Sequence, residues 1–202
     1  MDEEGAMEEF VEGPVGVDPT QSPDGTLGPA EVEETPEEEV DVRDVNERGT
    51  AAEMATRGMQ PERAVVLALR QQGMRENPCG SNRNPYSAYF GFGPQEWCAD
   101  FVGWSFDQTG NRDRKVPWGH PSAVLNITAW ARGRGLIVPT PRRGDIFTYR
   151  NGAHTGLVTG VTGTTFKTIE GNTSGPDGRT CWVAQHTRAT NDGRYFFVRW
   201  PQ

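Results

Sequence analysis

Near residue 60 the chain changes its physical character, and that break limits what each part can fold into. Residues 1–60 hold 18 Asp and Glu against 3 Lys and Arg, a net charge of −15, whereas residues 61–202 hold 10 acidic and 17 basic residues, a net of +7. The first part is also rich in Pro and poor in large apolar side chains. It has too little surface to bury to offset the chain entropy of folding. The pattern predicts an acidic disordered tail over 1–48, a short linker or helix over 49–60, and one folded domain over 61–202. "TAAE" at 50–53 has the form of a capping box, so the short helix is expected to run to Gly58. The second part carries all six Trp and eight of the nine Phe, enough for a single core.

Composition also excludes several classes. No stretch reaches the roughly 20 apolar residues of a bilayer span, so membrane insertion is not expected. A basic start followed by an apolar run is missing, which argues against a signal peptide. The three cysteines, at 79, 98 and 181, form no C-x-x-C pair, and a structural zinc site is not expected. Cys79 and Cys181 read as small buried packing residues, with a mutual disulfide as the alternative. Basic residues are scattered and the acidic part would repel phosphate, so no nucleic-acid partner is expected.

Within the folded part, "PERAVVLALRQQG" (61–73) predicts a helix, with Pro61 in its first turn and Gly73 at its stop. "MRENPCGSNRNPYSAYFGFG" reads as a loop. Pro94 is then expected to open a helix that carries Cys98, Phe101, Val102 and Ser105 and closes at Gly110. A third helix is expected from about Pro121 to Gly133. After Pro141 come short segments rich in β-branched and aromatic residues: "GDIFTYR", "AHTGLVTGV", "TTFKTIEGN", "TCWVAQHT" and "RYFFVRW". Their Gly, Asn and Asp breaks are those of antiparallel strands. Helices first and strands after predict an α+β domain with helices packed on one sheet.

Chemistry concentrates in "FGPQEWCADFVGWSF" (92–106). A thiol is a good nucleophile when ionised, which a helix N-terminus or a neighbouring imidazolium promotes. Cys98 is expected near a helix start and needs a base. His154, at the entrance of a strand, is the candidate, while His120 and His186 read as ordinary polar or packing residues. The base needs an orienting group. Glu170 and Asn172 in "TIEGNTS" are two residues apart in an extended segment and so share a face. Either could hold the imidazole while the other shapes the pocket.

"WCADFVGW", "PRRGDIFTY…AHTGLVTGV" and "TIEGNTS", in that order, together with the upstream "GSNRNPY", resemble the cysteine, histidine-dependent amidohydrolase/peptidase (CHAP) domains. These are papain-like cell-wall hydrolases of bacteria and bacteriophages. The resemblance runs from about residue 61 to the C-terminus. It implies Cys98 as nucleophile, His154 as base, and Glu170 and Asn172 as the further polar catalytic residues. It also implies an oxyanion hole built from the backbone N–H of Cys98 and a donor from the upstream loop. Tyr86 is the first candidate for that donor and Gln95 the second; Asn82 and Trp97 complete the expected oxyanion and substrate set, and Trp118 is a further candidate for the groove wall.

Some members of the family hold calcium through acidic residues ahead of the cysteine. Residues 79–95 contain no Asp or Glu, so no metal site is expected there, nor any organic cofactor. The resemblance implies bacterial peptidoglycan as partner and an amide bond as target: the amidase bond to the first L-alanine, or a bond of the peptide stem or cross-bridge. It further implies a phage endolysin or virion-associated lysin, made in the host cytoplasm without a signal peptide and acting at the cell wall. Other phage virion proteins are candidate partners. The acidic tail is a candidate to contact the basic catalytic domain and mask it, an interaction that salt would weaken. Two other classes stay open: a non-catalytic adaptor of a phage particle, and a papain-like protease or deamidase acting on protein.

Overall fold

The computed structural model describes residues 58–120 and 122–200. The acidic tail and the expected helix over 50–58 lie outside the described residues, apart from Gly58, which is in a turn. Among the described residues the helices precede the strands: α1 (Pro61–Leu69), α2 (Pro85–Tyr89), α3 (Cys98–Asp107) and α4 (Val124–Arg132), then β1 (Ile137–Val138), β2 (Ile146–Tyr149), β3 (Thr155–Thr162), β4 (Thr165–Ser174), β5 (Thr180–Ala189) and β6 (Tyr195–Val198). The strands form one antiparallel sheet in the order β1-β6-β2-β3-β4-β5. The domain is α+β, with helices against one face of that sheet.

Three local features depart from the expected boundaries. The first helix stops at Leu69, and the chain turns through Gln71 and Gln72 so that Gly73 can donate its N–H to Val183 O (2.9 Å). This pairs the segment 73–76 with β5 in place of a last helical turn. Within the expected loop, Asn84 caps a one-turn helix: its Oδ1 accepts the N–H groups of Tyr86 (3.0 Å) and Ser87 (2.8 Å), with Pro85 preset for the first helical position. The two-residue edge strand β1, paired with β6, is too short to carry a periodic signal.

Cys79 and Cys181, 102 residues apart, form a disulfide with a Cα–Cα distance of 5.4 Å. This corrects the reading of both as packing residues. The bridge ties the loop ahead of α2 to the start of β5, where Glu76 N–H already donates to Cys181 O (3.0 Å). Cys98 is a free thiol.

The main core lies between the helices and the sheet. Ala64, Val65 and Ala68 of α1, Phe101, Val102 and Phe106 of α3, and Ile127, Trp130 and Ala131 of α4 cover Ile146, Leu157, Ile169, Val183 and Val198. On the opposite face Phe147, Val158, Phe166, Tyr195 and Phe197 form a second, largely aromatic cluster. The fit between α3 and β4 is close. A Cβ built on Gly171 would lie 2.6 Å from Phe101 Cβ and 2.7 Å from Trp97 Cζ3, so only glycine lets β4 approach the helix that carries Cys98.

Candidate active site

Cys98 is the first residue of α3, with Trp97 in the N-cap position. The expected start at Pro94 is thereby corrected: side-chain ties hold 94–97 outside the helix. Gln95 Nε2 donates to Asp100 Oδ2 (2.6 Å), and Trp97 Nε1 donates to Glu76 Oε1 (2.7 Å). Cys98 consequently sits in the turn whose N–H groups have no intrahelical acceptor, at the positive end of the helix dipole.

His154 immediately precedes β3. Tyr149 N–H donates to its carbonyl (2.9 Å) across the β2–β3 turn, and the rings of Phe147 and Tyr149 flank the imidazole at 6.2 and 6.1 Å between centroids. Nε2 lies 2.8 Å from Glu170 Oε2. Cys98, which lines one cleft with His154, also acts on the ring. Burial opposes a charge on this ring. The hydrogen bonds and charges of Cys98 and Glu170 outweigh it, and His154 is pushed up to about 9.

Glu170 has no solvent exposure, and its carboxylate is fully engaged. Arg188 grips it in a fork, Nε to Oε1 at 2.8 Å and Nη2 to Oε2 at 2.6 Å. Thr168 Oγ1 donates to Oε1 and Thr173 Oγ1 to Oε2 (3.2 Å). Arg188 in turn donates from Nη1 to the Tyr149 hydroxyl (2.7 Å). Burial alone would raise the carboxyl, but the hydrogen bonds from His154 and Arg188 prevail and bring it down to about 2. The result is a chain of contacts, His154–Glu170–Arg188, in which the buried carboxylate has a basic group on each side.

Asn172 does not share this role. Pairing of β4 with β5 advances three residues on β4, from Glu170 to Thr173, for two on β5, from Ala184 to Trp182. This is a bulge, and within it Asn172 takes a φ of 53°. The alternation that would give Glu170 and Asn172 a common face is broken. Glu170 turns to His154, while Asn172 Nδ2 donates to Glu96 Oε2. Both Asn172 and Glu96 line a cleft of about 430 Å³ together with Cys98, His154, Thr180 and small apolar residues such as Ala99, Ala123 and Val124.

The other expected site residues lie elsewhere. Tyr86 is 1 % exposed, stacks on Trp97 (5.3 Å between centroids) and bonds Gln71 Oε1 through its hydroxyl (3.2 Å); it is a core residue, outside the cleft. Trp97 is wholly buried and tied to Glu76. The same carboxylate accepts the backbone N–H groups of Gly80 (2.7 Å) and Asn82 (2.9 Å), so Asn82 belongs to the turn built around Glu76. Gln95 has its amide on Asp100. Trp118 is buried and donates to Ser122 Oγ (2.8 Å). His120 sits between Phe90 and Phe92, and His186 bonds Thr173 Oγ1 (3.0 Å).

The sequence reading missed Arg188, which falls one residue past its segment "TCWVAQHT". The available signal is chemical: a carboxylate buried in mid-strand needs a cation, and Arg188 is a basic residue on a neighbouring strand. Among the described residues, no three His, Cys, Asp or Glu are grouped to hold a metal ion, and no helix is long and apolar enough to cross a membrane.

No curated protein and no solved structure matches the chain. Residues 89–172, an interval that opens at the end of α2 and contains Cys98, His154, Glu170 and Asn172, match the family model of the CHAP domain. That segment is therefore similar to the CHAP domain, whose members are generally hydrolases of amide bonds, of the peptidoglycan amidase and endopeptidase type.

Proposed function

We propose that this protein cleaves an amide bond of bacterial peptidoglycan with Cys98 as nucleophile. One observation carries the reading: a free thiol at a helix start and a histidine tied to a buried carboxylate open onto the same cleft. With His154 held at about 9, the imidazolium is its main form at neutral pH, and the thiolate attacks the carbonyl carbon to form the C–S bond. The backbone N–H of Cys98 faces the developing oxyanion. Collapse of the tetrahedral intermediate breaks the C–N bond as His154 gives its proton to the leaving amine. Water then gives a proton to the now neutral ring and attacks the thioester carbonyl; the C–S bond breaks, the carboxylic acid leaves, and the thiolate–imidazolium pair is restored.

The bond is either the amidase bond to the first L-alanine or one within the peptide stem or cross-bridge. The setting we infer is a bacteriophage endolysin or virion-associated lysin. Turbidity clearing of purified walls from several bacteria, wild type against Cys98→Ala, tests the reading. Clearing should fall by at least about 10³-fold in the variant, and new N-termini or released stem peptides identify the bond. Equal clearing by both proteins removes Cys98 from the chemistry. Clearing by neither moves the weight to an adaptor or to a protein substrate.

A further inference from the structure

The carboxylates around Cys98 are mostly occupied. Glu170 is held by Arg188 and His154, Glu76 by the Trp97 indole and two backbone N–H groups, and Asp100 by Ser87 and Gln95. Glu96 differs from all three. It stands two residues before Cys98, is exposed, and forms part of the cleft wall. Asn172 donates to one of its oxygens, and among the described residues no Lys or Arg pairs with it. Asn172 is itself buried within the β4 bulge, so its amide holds the carboxylate over the cleft. Besides Cys98, His154 and Asn172, the cleft is lined by small neutral residues, Ala123 and Val124 among them.

An exposed carboxylate without a Lys or Arg partner, in a cleft lined mainly by small residues, is matched by a substrate cation beside a small side chain. Two residues of chain span no more than about 7 Å. The matching cation therefore belongs to the part of the substrate near the scissile carbonyl, since Glu96 and Cys98 line one cleft. Resting on the peptidoglycan-hydrolase reading above, we propose that Glu96 is a specificity-determining residue that takes a free ammonium group of the wall peptide. That group is either the side-chain amine of a diamino acid or the α-amine of an unlinked peptide.

The two sources separate chemically. An α-amine titrates near pH 8 and a side-chain amine near 10.4. Acetic anhydride at about pH 6.5 therefore blocks mainly α-amines, and at about pH 10 blocks both. Wild type, Glu96→Gln and Cys98→Ala are assayed on untreated walls and on both acetylated preparations. Wild-type kcat/KM should drop about tenfold on acetylated walls, the size of one charge-assisted hydrogen bond. A drop already present after the milder treatment assigns the α-ammonium; a drop only after the stronger one assigns the side-chain ammonium. Glu96→Gln should clear untreated walls about tenfold more slowly than wild type and lose its sensitivity to acetylation. That ratio is read within one preparation, so partial misfolding does not affect it. It also separates Glu96 from the change in overall wall charge.

Equal wild-type rates on all three preparations overturn the proposal. So does a Glu96→Gln enzyme that is slower on every wall yet equally sensitive to acetylation, which would leave Glu96 as no more than a support for Asn172. If untreated walls resist the wild type as they resist Cys98→Ala, the hydrolase reading fails and this one with it.

Discussion

Arg188 is the residue on which the electrostatics of the site turn. Without its fork, Glu170 would be a fully buried carboxylate facing one histidine. Arg188→Met should lower stability by about 3–5 kcal/mol, because breaking a buried pair leaves its partner uncompensated; urea unfolding measures this. Arg188→Lys, which restores charge without the fork, should recover part of the loss. The pH dependence follows from the same contacts. His154 stands at about 9 in the folded protein against an ordinary 6.5, so its contribution to stability is complete below about pH 6.5 and is lost as pH rises through 9. Glu170 stands at about 2 against 4.5, so its contribution is present above 4.5 and is lost as pH falls through 2. A reaction that needs the imidazolium as acid should decline on the alkaline side with a midpoint near 9. A pH–rate profile of wall clearing checks this, and an alkaline limb near 6.5 would contradict the shift.

At the scale of elements, the site depends on how closely β4 approaches α3. Gly171 allows the strand to lie against Phe101 and Trp97, and the bulge beside it turns Asn172 toward the cleft while Glu170 stays under His154. Gly171→Ala forces a Cβ into space held by Phe101 and Trp97. It should cost about 1–3 kcal/mol by overpacking and reduce activity by more than its loss of folded protein, since both flanking residues of the site move with the strand. Thermal unfolding and active-site titration of Cys98 measured on the same sample separate the two effects.

For the whole molecule, the longest covalent constraint is the Cys79–Cys181 bridge, which closes a loop that contains α2, α3, α4 and β1–β4. Cross-links over a loop of this length act largely by limiting the unfolded chain. The Cys79→Ser/Cys181→Ser double variant should lose about 2–4 kcal/mol and unfold at a lower temperature. A reductant should lower the Tm of the wild type toward that of the variant and leave the variant unchanged. The bridge also anchors the strand start at Thr180, which lines the cleft, so the variant's KM for walls should rise more than its kcat falls.

Residue types and their local patterns were sufficient for the helix-then-strand order, for the antiparallel strand segments, and for singling out Cys98, His154 and Glu170, which the fold brings to one place. Each of these depends on chemistry or periodicity that extends over a few neighbouring residues. Tertiary structure alone decided which partner each group meets. Whether Tyr86 belongs to the core or the cleft, whether Cys79 reaches Cys181, and that Arg188 secures Glu170 all depend on strand register and on packing between distant segments. The bulge at 171–172 shows why: one extra residue reverses the alternation on which a same-face argument rests. Local sequence determined which chemical groups were present, and the close approach of β4 to α3 decided which of them face one another, because a side chain's neighbours are set by contacts across the fold.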